Sequence, residues 1–267
     1  MDLELNGRSA IVTGGSRGIG KTVARVLAGD GCNVVITGRY ADTLSTSAEE
    51  IATATGGRVT PIVADMTSTE QVNAMVATAA DALGGRVDIL VNNAAAPGGL
   101  ARGSLAEIRD EDVMLDLDTK VMGYLRCARA VAPYMEQQGW GRIVNIGGLS
   151  ARQAAGNLSA GVRNSGLSNL TKFLAEELGE HGVCVNLVHP GTTRTERSGP
   201  MYAEQAAQQG TSVDEVERRV ASRNSTRRIV DAEELAWVVA FLASPRSIAI
   251  SGETIAAGGG AGINVYH

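Results

Sequence analysis

Lysine is scarce in this chain: Lys21, Lys120 and Lys172 are its only three. Cysteine is equally scarce. Cys32, Cys127 and Cys184 are an odd number, far apart, with no C-x-x-C pair. A disulfide framework is therefore excluded, and the three read as reduced, buried thiols of a cytoplasmic protein. His181, His189 and His267 show no ligand spacing with them, so no metal site is expected. A basic excess is also missing. With 24 Lys+Arg against 29 Asp+Glu the net charge is -5, which argues against nucleic-acid or anionic-membrane binding. No apolar run reaches the roughly 18 residues a membrane helix needs. The opening Met1–Arg8 segment is acidic and runs into a strand, so no signal peptide is expected. No linker, repeat or low-complexity stretch divides the chain. It reads as a single domain over residues 1–267.

What is present is an alternation. With 44% hydrophobic and 20% charged residues the chain can bury a substantial core. Apolar β-branched runs at Ser9–Thr13, Asn33–Thr37, Val59–Val63, Asp88–Val91, Arg142–Ile146 and Val183–Val188 read as strands, and Glu253–Ala256 as a short last one. Amphipathic segments between them read as helices: Lys21–Leu27, one to about Ala54, one opened by a capping box at Thr67–Glu70, a long one from Glu111 to Met135, Ala160–Leu178, and one capped at Asp231. Continuous apolar strands alternating with helices imply a parallel sheet covered on both faces. Because the order begins strand, Gly-rich turn, helix, the expected fold is a doubly wound, Rossmann-type α/β sheet of about seven strands. The polar segment 192–228 interrupts the alternation and suits a helical lid after the sixth strand.

The turn after the first strand is Thr13-Gly14-Gly15-Ser16-Arg17-Gly18-Ile19-Gly20. Glycines there let backbone approach a pyrophosphate, and the following helix offers free N–H groups and a positive dipole end. The second strand ends Thr37-Gly38-Arg39, with a guanidinium where a carboxylate would bind a ribose 2′-OH. Arg17 lies on the same side. Two arginines suit a 2′-phosphate, so the expected cofactor is NADP(H); alternatively both are solvated surface residues.

These motifs, with Asn92-Asn93-Ala94 after the fourth strand and Pro190-Gly191-Thr192-Thr193-Arg194-Thr195 after the sixth, resemble the short-chain dehydrogenase/reductase family along the whole chain. The resemblance implies a cofactor site of Gly14, Ser16, Arg17, Gly18, Ile19, Gly20, Arg39, Asp65, Met66, Asn92, Asn164, Pro190, Gly191, Thr193 and Thr195. Asp65 would bind the adenine and the Pro-Gly-x-x-x-Thr run the nicotinamide carboxamide. It also implies a homotetramer packed through its long helices, with Val121, Leu125 and Val131 as apolar contacts.

The residues that do this family's chemistry are replaced. The family's Tyr, which protonates a carbonyl oxygen, falls on Ala160, and its Lys on Asn164. Its Ser falls on Gly148, or on Gly147 with a slip of one, and its helix Asn on Lys120. No tyrosine in the chain has Lys four residues on. Loss of a positioned general acid typically costs about 10²–10⁴ in rate, so turnover of generic ketones is expected to be low. Lys120 is the candidate catalytic residue, as acid, base or anion clamp; alternatively it forms an i,i+4 pair with Asp116. Ser150, Ser159 and Arg163 are possible substitute donors. The lid arginines either clamp an acidic substrate or pair with Asp214, Glu215 and Glu217. Three functional readings follow: an NADP(H)-dependent oxidoreductase with a non-standard site and an unidentified small-molecule substrate, a catalytically inactive nucleotide-binding subunit or sensor partnered with an active homologue, or a non-redox lyase or isomerase.

Overall fold

The computed structural model describes residues 2–153 and 157–263. His267, named above, lies outside the described residues.

Among the described residues, nine strands and the helices between them follow the expected alternation. In chain order they are β1 (Ser9–Thr13), α1 (Gly18–Gly29), β2 (Asn33–Gly38), α2 (Ala41–Thr55), β3 (Val59–Val63), α3 (Thr69–Ala82), β4 (Ile89–Asn92), α4 (Asp110–Leu117), α5 (Gly123–Gln138), β5 (Gly141–Ile146), α6 (Leu158–Gly179), β6 (Val183–Pro190), β7 (Thr193–Arg194), α7 (Ser198–Gln209), α8 (Val213–Ser222), β8 (Val230–Asp231), α9 (Ala232–Ala243) and β9 (Thr254–Ala257). Seven strands form one parallel sheet in the order β3-β2-β1-β4-β5-β6-β9. Every residue of β1, β4, β5 and β6 is buried. Helices cover both faces, which is why those strands read as near-continuous apolar runs. One core layer packs Val23, Leu27, Leu44 and Leu235 against one face of the sheet; the other packs Val72, Val76, Cys127 and Leu178. The chain runs outward from β1 to β3, then returns to β4 on the other side. A crevice opens at such a reversal, outside the carboxyl ends of β1 and β4.

Three local features differ from expectation. The cap of α3 is Ser68, whose hydroxyl accepts from Gln71 N–H at 3.2 Å. Thr67 does not cap because its own hydroxyl donates to Asp65 at 2.8 Å. The long helix is not uniform: a π-helical turn, Asp118–Met122, joins α4 to α5. Arg126 satisfies the Asp118 carbonyl there at 3.1 Å and pairs with the Asp118 carboxylate at 2.6 Å. Such turns concentrate at functional sites, and this one carries Lys120. Finally, Val131 is fully buried in the core of the subunit and is no interface residue. The large apolar side chains left exposed along α4–α6 are instead Met114, Leu115, Met122, Leu158, Val162 and Phe173.

The segment 192–228 folds as two helices, α7 and α8, with a small core of Tyr202, Ala206, Val216 and Ile229. The parallel pair β7–β8 closes its base. Cys32, Cys127 and Cys184 are free and buried. No described helix is long and apolar enough to cross a membrane.

Candidate functional site

A cleft of about 1350 Å³ runs along the carboxyl ends of the strands, from the β2 end to the lid. It exceeds the usual range for a single small ligand, about 300–1,000 Å³. Gly14, Ser16, Arg17, Gly18, Ile19, Arg39, Asp65, Met66, Lys120, Gly148, Ala160, Asn164, Pro190, Gly191 and Thr195 all line it.

Three expected site residues do not. Gly20 lies inside α1, where a Cβ would stand 2.3 Å from the Gly14 carbonyl oxygen. Its role is to let the helix touch the turn. Asn92 is fully buried, and its amide donates to Asn145 Oδ1 at 3.0 Å, within the sheet. Thr193 turns its hydroxyl back to the Gly191 carbonyl at 3.2 Å. Asn93, the neighbour of Asn92, lines the cleft instead, and its amide bridges the Thr13 and Gly14 carbonyls at 3.0 and 3.1 Å. The Thr13 hydroxyl accepts from the Asn93 and Ala94 N–H groups at 2.9 and 3.1 Å. The Gly-rich turn is thereby tied to the β4 loop.

The turn is fitted for an extended anionic ligand. At Gly14 a Cβ would meet Ala94 Cα at 2.9 Å, so backbone passes close to backbone. At Gly18, with φ +56°, the nearest atom to a Cβ is 3.9 Å away. The Gly18 N–H, which opens α1, already donates to the Glu196 carboxylate at 2.8 Å. The chain's own carboxylate thus stands where a phosphate oxygen is favoured at a helix N-terminus. Arg17 and Arg39 are exposed at the β2 end, with the Arg39 guanidinium 5.7 Å from the Tyr40 ring centre. Thr37 Oγ1 is buried beside them without a partner among the described residues. These features fit a dinucleotide bearing a 2′-phosphate.

The opposite end of the cleft is a compact buried polar cluster. Lys120 is 3% exposed. Its Nζ donates to the Gly147 carbonyl at 3.0 Å and to Asn164 Oδ1 at 2.8 Å. Asn164 in turn donates to Ser150 Oγ at 2.8 Å. Burial, then the nearby Arg163 charge, push the Lys120 pKa well below its usual 10.5, and Asp116 only partly opposes them. The i,i+4 pair with Asp116, the alternative role of Lys120, does not form. Asp116, fully buried, binds Arg163 at 2.6 Å, accepts from the Leu100 N–H at 2.7 Å, and accepts from the Ser159 hydroxyl. Arg163 also donates to the Ala96 carbonyl at 2.8 Å. Ser159 and Arg163 therefore hold the loop after β4, and Arg163 additionally lines the cleft.

The geometry also explains two glycines. At Gly147 a Cβ would lie 2.2 Å from His189 Nδ1, so the one-residue slip cannot place a serine there. At Gly148 a Cβ would lie 2.8 Å from the Asn164 amide nitrogen. His189 Nδ1 accepts the Gly148 N–H at 2.9 Å, which requires a neutral ring. Burial, with Arg152 and Lys120 adding to it, lowers the His189 pKa from 6.5 to about 4. The unfolded chain thus binds a proton between those values that the folded chain does not. Stability should be full above pH 6.5 and fall by about 3 kcal/mol towards pH 4. His189→Asn, which keeps an acceptor and removes the titration, should flatten that slope in denaturant titrations run across this window. An unchanged slope would locate the acid sensitivity elsewhere.

A doubly wound parallel sheet, a Gly-rich turn at its switch point and a lid after β6 define a Rossmann-type nucleotide-binding architecture. A family model described as Enoyl-(Acyl carrier protein) reductase matches residues 14–262. The chain belongs to the short-chain dehydrogenase/reductase family. It is 37% identical to the short-chain reductase protein NovJ of Streptomyces niveus, over 94% of this chain and 92% of that one. It is 33% identical to the 3-oxoacyl-[acyl-carrier-protein] reductase FabG of Vibrio cholerae, over 97% and 98%. The crystal structure of L-sorbose reductase from Gluconobacter frateurii, complexed with NADPH and L-sorbose, superposes with a TM-score of 0.91 at 29% identity, over 98% of both chains.

Proposed function

We propose that this protein is an NADP(H)-dependent oxidoreductase whose proton-transfer centre is built around Lys120. One observation carries the reading. The family places an Asn on the helix after β4 and a Lys on α6; here Lys120 and Asn164 occupy those positions in exchange, and they touch at 2.8 Å. An amine is thus delivered to the same wall of the cleft from the opposite helix.

When bound, NADPH supplies hydride to a substrate carbon. The residues of the chain do the rest. Arg17 and Arg39 hold the 2′-phosphate through charge-assisted hydrogen bonds. The N–H groups at the start of α1 take a pyrophosphate oxygen in place of Glu196. Gly147 and Asn164 fix the Lys120 amine with two acceptors. The third position on Nζ holds a proton when the amine is charged and a lone pair when it is neutral. Burial lowers the Lys120 pKa, which moves the amine towards the neutral form, the direction an acid–base group needs. Ala160 and Gly148 have no proton to give, and the Ser150 hydroxyl spends its proton on the Ala160 carbonyl at 3.2 Å, which leaves Lys120 as the donor.

Cofactor choice tests the first half of this reading. NADPH should bind at least about tenfold tighter than NADH, a difference of roughly 1.4 kcal/mol, and Arg39→Ala should narrow the gap. Equal affinities by calorimetric titration, or a preference for NADH, would refute it. A second reading is supported by Ala160 and Gly148 themselves: a nucleotide-binding subunit without turnover, paired with an active homologue. It expects tight NADPH binding, no oxidation of it, and a homologous chain that co-purifies.

Assembly belongs to the same proposal. Met114, Met122, Val162 and Phe173 leave an apolar strip on the α4–α6 side, and a homotetramer would cover it. Light scattering that gives a monomer at micromolar concentration would rule this out.

A further inference from the structure

The cleft is positively charged although the chain is acidic. Among the described residues, six cationic side chains and one carboxylate, Asp65, line it, whereas the net charge is -5. Arg17 and Arg39 at the β2 end serve the cofactor in the reading above, and Arg163 is neutralised by Asp116. The lid supplies the others that remain to be explained.

Its arginines divide cleanly. Arg194 pairs with Glu217 at 2.7 Å. Arg218 and Arg219 share Glu215. Arg228 pairs with Glu234 at 2.7 Å, and Arg227 donates to the Ser222 carbonyl. These side chains stiffen the lid and its base. Arg197 and Arg223 have no side-chain partner among the described residues, and both line the cleft. They also stand at the two ends of the helix pair: Arg197 immediately precedes α7 and Arg223 immediately follows α8. Both therefore reach the cleft from the ends of the lid. Arg223 further lines a side cavity of about 260 Å³ beneath the lid, whose walls include Met201, Tyr202, Gln205 and Val216. It stands where the side cavity meets the cleft.

We propose that the substrate carries an anionic oxygen group, a carboxylate or a phosphate, held by Arg197 and Arg223 as the lid closes over it. Unpaired guanidiniums facing a cleft are the natural partners of such a group, because each presents a planar fork of donors that matches two oxygens. The other lid arginines cannot serve without breaking existing ion pairs or, for Arg227, a hydrogen bond. The inference rests on the NADP(H) reading of the cleft.

Matched probes test it on NADPH-saturated protein: acetoacetate against methyl acetoacetate, and dihydroxyacetone phosphate against dihydroxyacetone, followed by calorimetry. In at least one pair the anion should bind about tenfold tighter than its neutral counterpart, or more. The pair that discriminates says whether the group is a carboxylate or a phosphate. Arg197→Ala and Arg223→Ala should each remove most of that preference and leave NADPH affinity within about threefold. Equal binding of anion and neutral probe would overturn the proposal, as would no anion binding up to roughly 10 mM. Variants that weaken NADPH as much as the anion would also overturn it and assign both arginines to the pyrophosphate. NADPH binding to the unaltered protein is measured first. Its failure would sink the cofactor reading separately, since the probe pairs can still be compared on the free protein.

Discussion

Lys120→Met is expected to lower turnover by about 10²–10⁴, the usual cost of losing a positioned acid–base group, and to leave NADPH bound. It should not destabilise the fold. The amine is buried, stands close to the Arg163 charge, and shares only Asp116 with it as a counterion. The unfolded chain keeps a proton on Lys120 up to its ordinary 10.5, whereas the folded chain releases it at lower pH. Between those two points folding expels a proton, so stability rises with pH there; below them the buried charge is a cost. Methionine has similar length and no charge, so the variant should melt at or above the temperature of the unaltered protein at neutral pH. The gap should close as pH rises towards 10.5. The decisive measurement joins NADPH oxidation on a carbonyl substrate to thermal unfolding of the same two samples. Full turnover by Lys120→Met would show that another donor serves the site. A large drop in melting temperature would make Lys120 a structural residue.

Asp116→Asn is expected to cost about 3–5 kcal/mol, the usual penalty when one partner of a buried ion pair is removed. The carboxylate is fully buried and takes three donors: the Arg163 guanidinium, the Leu100 N–H and the Ser159 hydroxyl. An amide keeps the shape but leaves the Arg163 charge, itself 3% exposed, without compensation. At roughly 2–4 °C per kcal/mol for a chain of this size, the melting temperature should fall by about 10 °C. The double variant Asp116→Asn with Arg163→Met should recover much of the loss, because no uncompensated charge remains. Calorimetric unfolding of the single and double variants gives the answer. A fall of less than 1 °C for the single change would mean that water reaches the pair and that the cluster does not anchor the loop after β4.

The fold was legible because its signals are local. The strand β1 is buried on both faces, so every position is apolar or small, and the run itself marks the strand. Ser68 in place of Thr67 as the α3 cap shows the limit of that reading. Both residues can cap, and the choice went to the one whose hydroxyl was not already taken by Asp65. Asn92 and Asn93 show the same limit in the site. The two amides are identical in sequence terms, but strand alternation sends one into the sheet and the other into the cleft. The arginines of the lid were equally indistinguishable. Only their folded neighbours separate Arg197 and Arg223 from those already paired.

The sequence by itself determined the alternating α/β architecture and the Gly-rich turn at the switch point. Those properties depend on residue type and spacing along one strand, turn or helix. Tertiary structure alone decided how the polar cluster around Lys120 is assembled. Lys120 and Asn164 are 44 positions apart and meet only because the π-helical turn after α4 packs across α6. Asp116 binds Arg163 rather than the lysine one turn away. Whether a buried amine is paired or left for chemistry is set by which charges reach it through a low-dielectric interior, and those charges come from other elements.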